Sequence, residues 1–90
     1  MPVGIALAPP MPRFYIHFRN GNIVAKDDVG QNFPDFAEAK AAALISAREI
    51  LADDVRSNTD KPLEAVTITD EDGQELITIA ARDILPERLQ

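Results

Sequence analysis

The stretch RFYIHFRNGNIVAK, residues 13–26, decides the fold because a strand pattern and a turn signal stand side by side in it. Apolar side chains alternate with polar or amphipathic ones, as in a strand with one buried face. The apolar set is Phe14, Ile16 and Phe18. Asn20-Gly21 follows, and both residue types tolerate the positive φ of a two-residue hairpin turn. The sequence therefore predicts an antiparallel hairpin.

A turn at residues 20–21 fixes the pairing of this first hairpin. The predicted pairs are Arg19 with Asn22, Phe18 with Ile23, His17 with Val24, Ile16 with Ala25 and Tyr15 with Lys26. Because side chains alternate across a strand, Ile23 and Ala25 join the phenylalanine face. Val24 and Lys26 join the opposite face.

The next segments predict a connection and then a helix. Residues 27–34, DDVGQNFP, match neither the strand nor the helix period. Asp35 stands at an N-cap position with Glu38 three residues later, and strong helix formers follow up to residue 57. The apolar stripe expected to face the sheet is Phe36, Ala39, Ala43, Ala47, Ile50 and Leu51, flanked by Leu44 and Val55. Ile45 lies opposite this stripe and is expected to be exposed.

A second hairpin is predicted around Asp72-Gly73, with two competing registers. A two-residue turn pairs Ile68 with Ile77 and Val66 with Ile79. A three-residue loop over 71–73 instead pairs Ile68 with Leu76 and Val66 with Thr78. We favour the first register because it collects β-branched apolar residues on one face. It directs outward Thr67, Thr69, Thr78 and Leu76.

Together these elements predict an α+β fold of order ββαββ, in which one helix covers one face of a four-stranded antiparallel sheet. The strand order is left open. The expected organisation is a flexible N-terminal arm over residues 1–12, a single domain over 13–85 and a C-terminal tail over 86–90. Translation is expected to start at Met1 or at Met11.

Composition narrows the classes of function. The 90 residues are 46% hydrophobic and 27% charged, which fits one packed domain. The net charge of −6 disfavours nucleic acid and anionic membranes as partners, and there is no cysteine for disulfides or thiolate chemistry. We find neither a signal peptide nor a membrane span in the sequence, and we expect a cytoplasmic protein.

The order of these motifs resembles a group of small alphaproteobacterial domains of unknown function. Members open with Met-Pro-Arg and an aromatic pair before a histidine, as here do Met11, Pro12, Arg13, Phe14, Tyr15 and His17. The resemblance spans nearly everything after Pro10 and implies a bacterial protein, but it carries no activity, cofactor or catalytic residue. The hairpin followed by an FPDF-type helix entry is also similar, at the level of fold, to HicB-type antitoxins.

The candidate binding residues lie on the strand face that the helix leaves uncovered. They are Arg13, Tyr15, His17, Arg19 and Lys26, a mixture of cationic and aromatic side chains. His17 is the only histidine, and the sequence places no carboxylate or second ligand beside it. Without an activated nucleophile, a phosphate loop or a metal-ligand pattern, we expect no enzyme, no cofactor and no metal.

Three functional hypotheses remain. The first is a non-enzymatic interaction or regulatory module that binds an unknown protein partner, possibly itself as a homodimer, through the uncovered sheet face. The second is an antitoxin-like regulator that neutralises a basic partner with its acidic helix. The third is an RNA-contacting module that uses the outer face of the first hairpin, although nucleic acid is disfavoured by the net charge.

Overall fold

A computed structural model of the chain describes residues 11–84. Its elements are β1 Arg13–Asn20, β2 Ile23–Ala25, β3 Gln31–Asn32, α1 Phe36–Ser57, β4 Leu63–Thr69, β5 Glu75–Ala80 and a 3₁₀ turn Ala81–Asp83. The predicted α+β class is confirmed, with a short third strand added. Most of the predicted N-terminal arm and all of the predicted tail lie outside the described residues.

The antiparallel sheet has the order β2-β1-β4-β5, so the two hairpins meet through their first strands. The helix lies between them in the chain and packs mainly on the central pair, β4 and β1. Beneath it, Val66 and Ile68 are completely buried, against three helix alanines with no exposed surface. These alanines are Ala39, Ala43 and Ala47. Small side chains let a helix lie close to a sheet, so this part of the predicted stripe is confirmed.

The helix begins and ends as its sequence indicates. The carboxylate of the N-cap Asp35 accepts the backbone N–H of Glu38 at 2.9 Å, and Asn58 ends the helix in the left-handed conformation. Ile45 is exposed, as predicted. The prediction for Val55 is wrong: it lies in the last helical turn and is 79% exposed.

The predicted register of the first hairpin is wrong by two residues. Phe18 lies opposite Ala25 and Arg19 opposite Val24, so the turn is Gly21-Asn22. Gly21 adopts φ +58° while Asn22 keeps a negative φ, the pattern of a turn with glycine at its first central position. Asn20 stays in β1, where its side-chain amide donates to the carbonyl of Lys61 at 3.3 Å. A shift of two residues preserves the predicted faces.

The prediction of a plain connection over residues 27–34 is also wrong, because β3 lies within it. Gln31 and Asn32 pair with the start of β1, and the N–H of Phe33 donates to the carbonyl of Pro12 at 3.0 Å. The side chains of Arg13 and Asn32 are hydrogen-bonded to each other. β2 and β3 are therefore two pieces of one edge strand on β1, interrupted by residues 26–30.

The second hairpin combines both predicted alternatives. Gly73 donates its N–H to the carbonyl of Asp70, and Asp70 donates to Gln74, so residues 71–73 form a three-residue loop. Further along, the register shifts by one residue, and Ile68 faces Ile77 as in the favoured register. This shift is a bulge that restores the β-branched pairs to the core side.

Candidate functional site

The face of the sheet turned away from the helix, here called the outer face, contains two adjoining depressions of about 280 and 370 Å³. Both are lined by His17 and Lys26. The first depression extends over Val24 and Thr67, and the second over Tyr15. Acidic residues also line the second, namely Asp27, Asp28, Asp70 and Glu71. The two hairpins thus build one surface around a central histidine.

Both ring nitrogens of His17 are hydrogen-bonded. Nδ1 accepts the backbone N–H of Asp27 at 3.0 Å, and Nε2 lies 3.0 Å from Oγ1 of Thr69. A nitrogen that accepts from a backbone N–H carries no proton of its own, so the neutral ring holds its proton on Nε2 and donates it to Thr69. The hydrogen bonds fix both the orientation and the tautomer of this imidazole.

Asp27 organises the interruption between β2 and β3. Its Oδ2 accepts the backbone N–H of Ile16 in β1 at 3.2 Å, where a continuous edge strand would have supplied a carbonyl. Its Oδ1 accepts the N–H groups of Val29 and Gly30 at 3.0 and 2.9 Å. One carboxylate therefore satisfies three backbone donors, as an aspartate in a turn can.

These contacts act on the acidity of Asp27. Burial by itself raises the pKa of the carboxyl, but the hydrogen bond from Gly30 and those from Ile16 and Val29 favour the ionised form more strongly. When His17 is protonated, its positive charge acts in the same direction. The net result is a pKa below the ordinary value for aspartate.

Two of the five predicted binding residues hold the loop between β2 and β3 in place. The Arg13 guanidinium donates to the carbonyl of Val29 at 2.9 Å and also to the side chain of Asn32. Tyr15 packs over Gly30, so closely that a Cβ there would lie 2.8 Å from its ring. Arg13 and Tyr15 are both half-buried.

The other predicted cations differ in their surroundings. Arg19 lies 3.5 Å from a carboxylate oxygen of Glu64, and both side chains are about half exposed. Lys26 is exposed between the two depressions and makes no hydrogen bond or ion pair within residues 11–84. The cationic stripe expected from the sequence is thus interleaved with carboxylates.

The three neighbours that define this site were missed from the sequence. Asp27 had a signal, because an aspartate three residues before a glycine often closes a turn on its own side chain. Thr69 and Glu64 had none, because both come from β4, whose pairing with β1 depends on the strand order. In residues 11–84 no three histidine, aspartate or glutamate side chains are placed to share a metal ion.

The chain was also compared with known proteins. A family model described as a domain of unknown function (DUF6894) matches residues 13–87. No curated protein and no solved structure matches the chain. Across the described residues, no helix is both long and apolar enough to cross a membrane.

Proposed function

The chain belongs to the DUF6894 family of domains of unknown function, and we propose that it is a non-enzymatic protein-interaction module that self-associates through β2 and the adjoining outer face. The observation that carries this proposal is the exposure of β2. All three of its residues are exposed, with Ile23 at 58% and Val24 at 56%. An edge strand with exposed apolar side chains is a template for pairing with another chain.

The position of β2 explains why it is available. The helix packs mainly on β1 and β4, so the inner side of the sheet is left open at Ile23 and Ala25. On the outer side Val24 forms a wall of the first depression. Both surfaces of the strand are therefore apolar and uncovered, and a partner gains apolar contact on either side of it.

A second copy of the chain fits this strand. In an antiparallel pair with a two-fold axis at Val24, Val24 meets itself and Ile23 meets Ala25 of the second copy. Such an isologous contact places apolar residues opposite apolar ones without burying a charged side chain. The two sheets would then continue into one another, with both helices on the same face.

Light scattering across micromolar concentrations tests this proposal. We expect a dimer that Ile23→Lys converts to a monomer, because a buried lysine at the contact lacks a partner. Ile45→Lys is the matched control, since Ile45 is 57% exposed on the far side of the helix. A wild-type monomer throughout the range, or an equal effect of Ile45→Lys, contradicts the proposal.

The antitoxin-like hypothesis is our second candidate, with the second depression in place of the acidic helix as the contact surface, because four carboxylates line that depression and the chain has a net charge of −6. A basic protein partner would be attracted to this surface. Asp70→Asn with Glu71→Gln should then weaken capture of such a partner more than Asp53→Asn, which changes an exposed helix residue. Equal capture by both variants contradicts it.

The RNA-contacting hypothesis receives less support from the geometry. Arg19 is paired with Glu64, and Arg13 is hydrogen-bonded to the loop rather than directed at a ligand. Phosphate binding depends on cations that are free to neutralise it. RNA binding at low salt that Lys26→Ala and Arg19→Ala abolish together would restore this hypothesis.

A further inference from the structure

We propose that His17 is a pH-responsive latch on the loop over residues 26–30: when Nδ1 gains a proton, the loop loses an anchor and the outer face changes shape. This inference is independent of self-association. It rests on the hydrogen bonds of one imidazole and on the loop that they hold.

The latch follows from the direction of one hydrogen bond. The N–H of Asp27 is a donor, so Nδ1 of His17 has to be an acceptor, and only the neutral ring has one. The other nitrogen, Nε2, carries the ring proton and donates it to Oγ1 of Thr69. The ring therefore has no second acceptor in its present orientation. Protonation replaces an attraction between Nδ1 and the Asp27 amide with two facing N–H groups.

The loop is sensitive to this loss because it lacks regular pairing with β1. Residues 26–30 stand between β2 and β3, where the edge strand leaves the ladder. Asp27 contacts β1 through its amide, which donates to His17, and through its carboxylate, which accepts the N–H of Ile16. When the amide contact is lost, the hydrogen bond between the Asp27 carboxylate and the N–H of Ile16 is the one that remains between Asp27 and β1.

Charged and titratable groups surround the imidazole on each side. From its own strand these are Tyr15 and Arg19, from the loop Lys26, Asp27 and Asp28, and from the second hairpin Asp70 and Glu71. Arg19 is already paired with Glu64. His17 therefore shares the second depression with four carboxylates.

Opening the loop changes the surface that the two depressions share. Lys26 lines both depressions, and Asp27 and Asp28 line the second. A shift of these side chains therefore alters the charge presented beside His17. Histidine is the side chain that ordinarily changes charge between about pH 5 and pH 8, so the test below spans that range.

Nitrogen-15 NMR of the wild-type chain between pH 8 and pH 5 tests the latch. At pH 8 we expect the ring proton on Nε2. As the ring titrates, the exchange protection factor of the Asp27 amide should fall about tenfold, the effect of losing one hydrogen bond. The protection factor already corrects for the intrinsic pH dependence of exchange.

A variant distinguishes the effect of His17 protonation from that of other groups that titrate in the same pH range. In His17→Asn the side-chain oxygen replaces Nδ1 as an acceptor but does not titrate, so the protection of Asp27 should no longer vary with pH. The proposal is overturned if the wild-type Asp27 amide keeps its protection while His17 titrates. It is also overturned if the neutral ring carries its proton on Nδ1.

Discussion

The backbone N–H of Asp27 donates to Nδ1 of His17 across 3.0 Å, and the carboxylate of the same residue accepts from Ile16, the neighbour of that histidine. Amide and carboxylate thus hold β1 at adjacent positions. Together with the Arg13 guanidinium on the carbonyl of Val29 and the Tyr15 ring on Gly30, these two contacts hold the irregular loop over residues 26–30 in place. They also determine the shape of the outer face, since Lys26 and Asp27 line its depressions.

Asp27→Ala should destabilise the fold by about 2 kcal/mol, because three backbone donors lose their acceptor together. Asp28→Ala is the matched control, since the carboxylate of Asp28 is exposed and accepts no hydrogen bond within residues 11–84. The control should change stability by less than about 0.5 kcal/mol. Urea unfolding of the two variants measures both values, and similar losses would show that the Asp27 contacts are unimportant.

Acid should reduce the difference in unfolding free energy between wild type and Asp27→Ala. The pKa of Asp27 is lower in the fold than its ordinary value, so the folded state prefers the ionised carboxylate. Its contribution is complete above the unfolded value, about 3.9, and is lost as the pH falls through the lower folded value. Urea unfolding at a series of pH values should show the difference shrinking below about pH 4. A constant difference would contradict the role of ionisation.

Gly30→Ala should cost more stability than Gly73→Ala, although both glycines have φ near +80°, at +76° and +79°. A Cβ on Gly30 would lie 2.8 Å from the Tyr15 ring and 3.0 Å from the carbonyl oxygen of Phe14. A Cβ on Gly73 meets nothing within 4 Å, so only backbone strain of about 1 kcal/mol remains. We expect at least about 2 kcal/mol for Gly30→Ala by thermal or urea unfolding. Equal costs would contradict the close packing of the loop on Tyr15.

Ala43→Leu should destabilise the domain by about 1–3 kcal/mol, because Ala43 has no exposed surface between the helix and the sheet. Ala41→Leu is the control, since Ala41 is exposed on the same helix and should tolerate leucine within about 0.5 kcal/mol. Thermal unfolding of the pair measures the tightness of the helix–sheet contact. Tolerance of leucine at Ala43 would indicate a looser contact.

The sequence was sufficient for the fold class because local signals agreed with one another. Alternation over 13–19, the Asp35 cap and the small residues Ala43 and Ala47 each correspond to a feature of the structure. The first predicted register placed Asn20 in the turn, whereas Asn20 is part of β1, lies opposite Leu63 of β4 and bonds through its side chain to Lys61, which are contacts between distant parts of the chain. Turn propensity alone contains no information about such a contact.

The site was predictable only in part for the same reason. Alternation brought Tyr15, His17 and Arg19 to one face, and the structure has them there. Their partners on β4 depend on the β1–β4 pairing, which neither hairpin specifies. The interruption at Asp27 was missed because its carboxylate replaces a backbone acceptor. Hydrophobic periodicity does not report such a replacement.

Amide chemical shifts recorded from micromolar to millimolar concentration test the self-association of this domain most directly, because they report where two copies meet. We predict concentration-dependent shifts at Ile23, Val24 and Ala25, extending to His17, with Ile45 on the back of the helix unchanged. Spectra that are identical across the range, or shifts centred on Ile45 instead, would contradict association through β2.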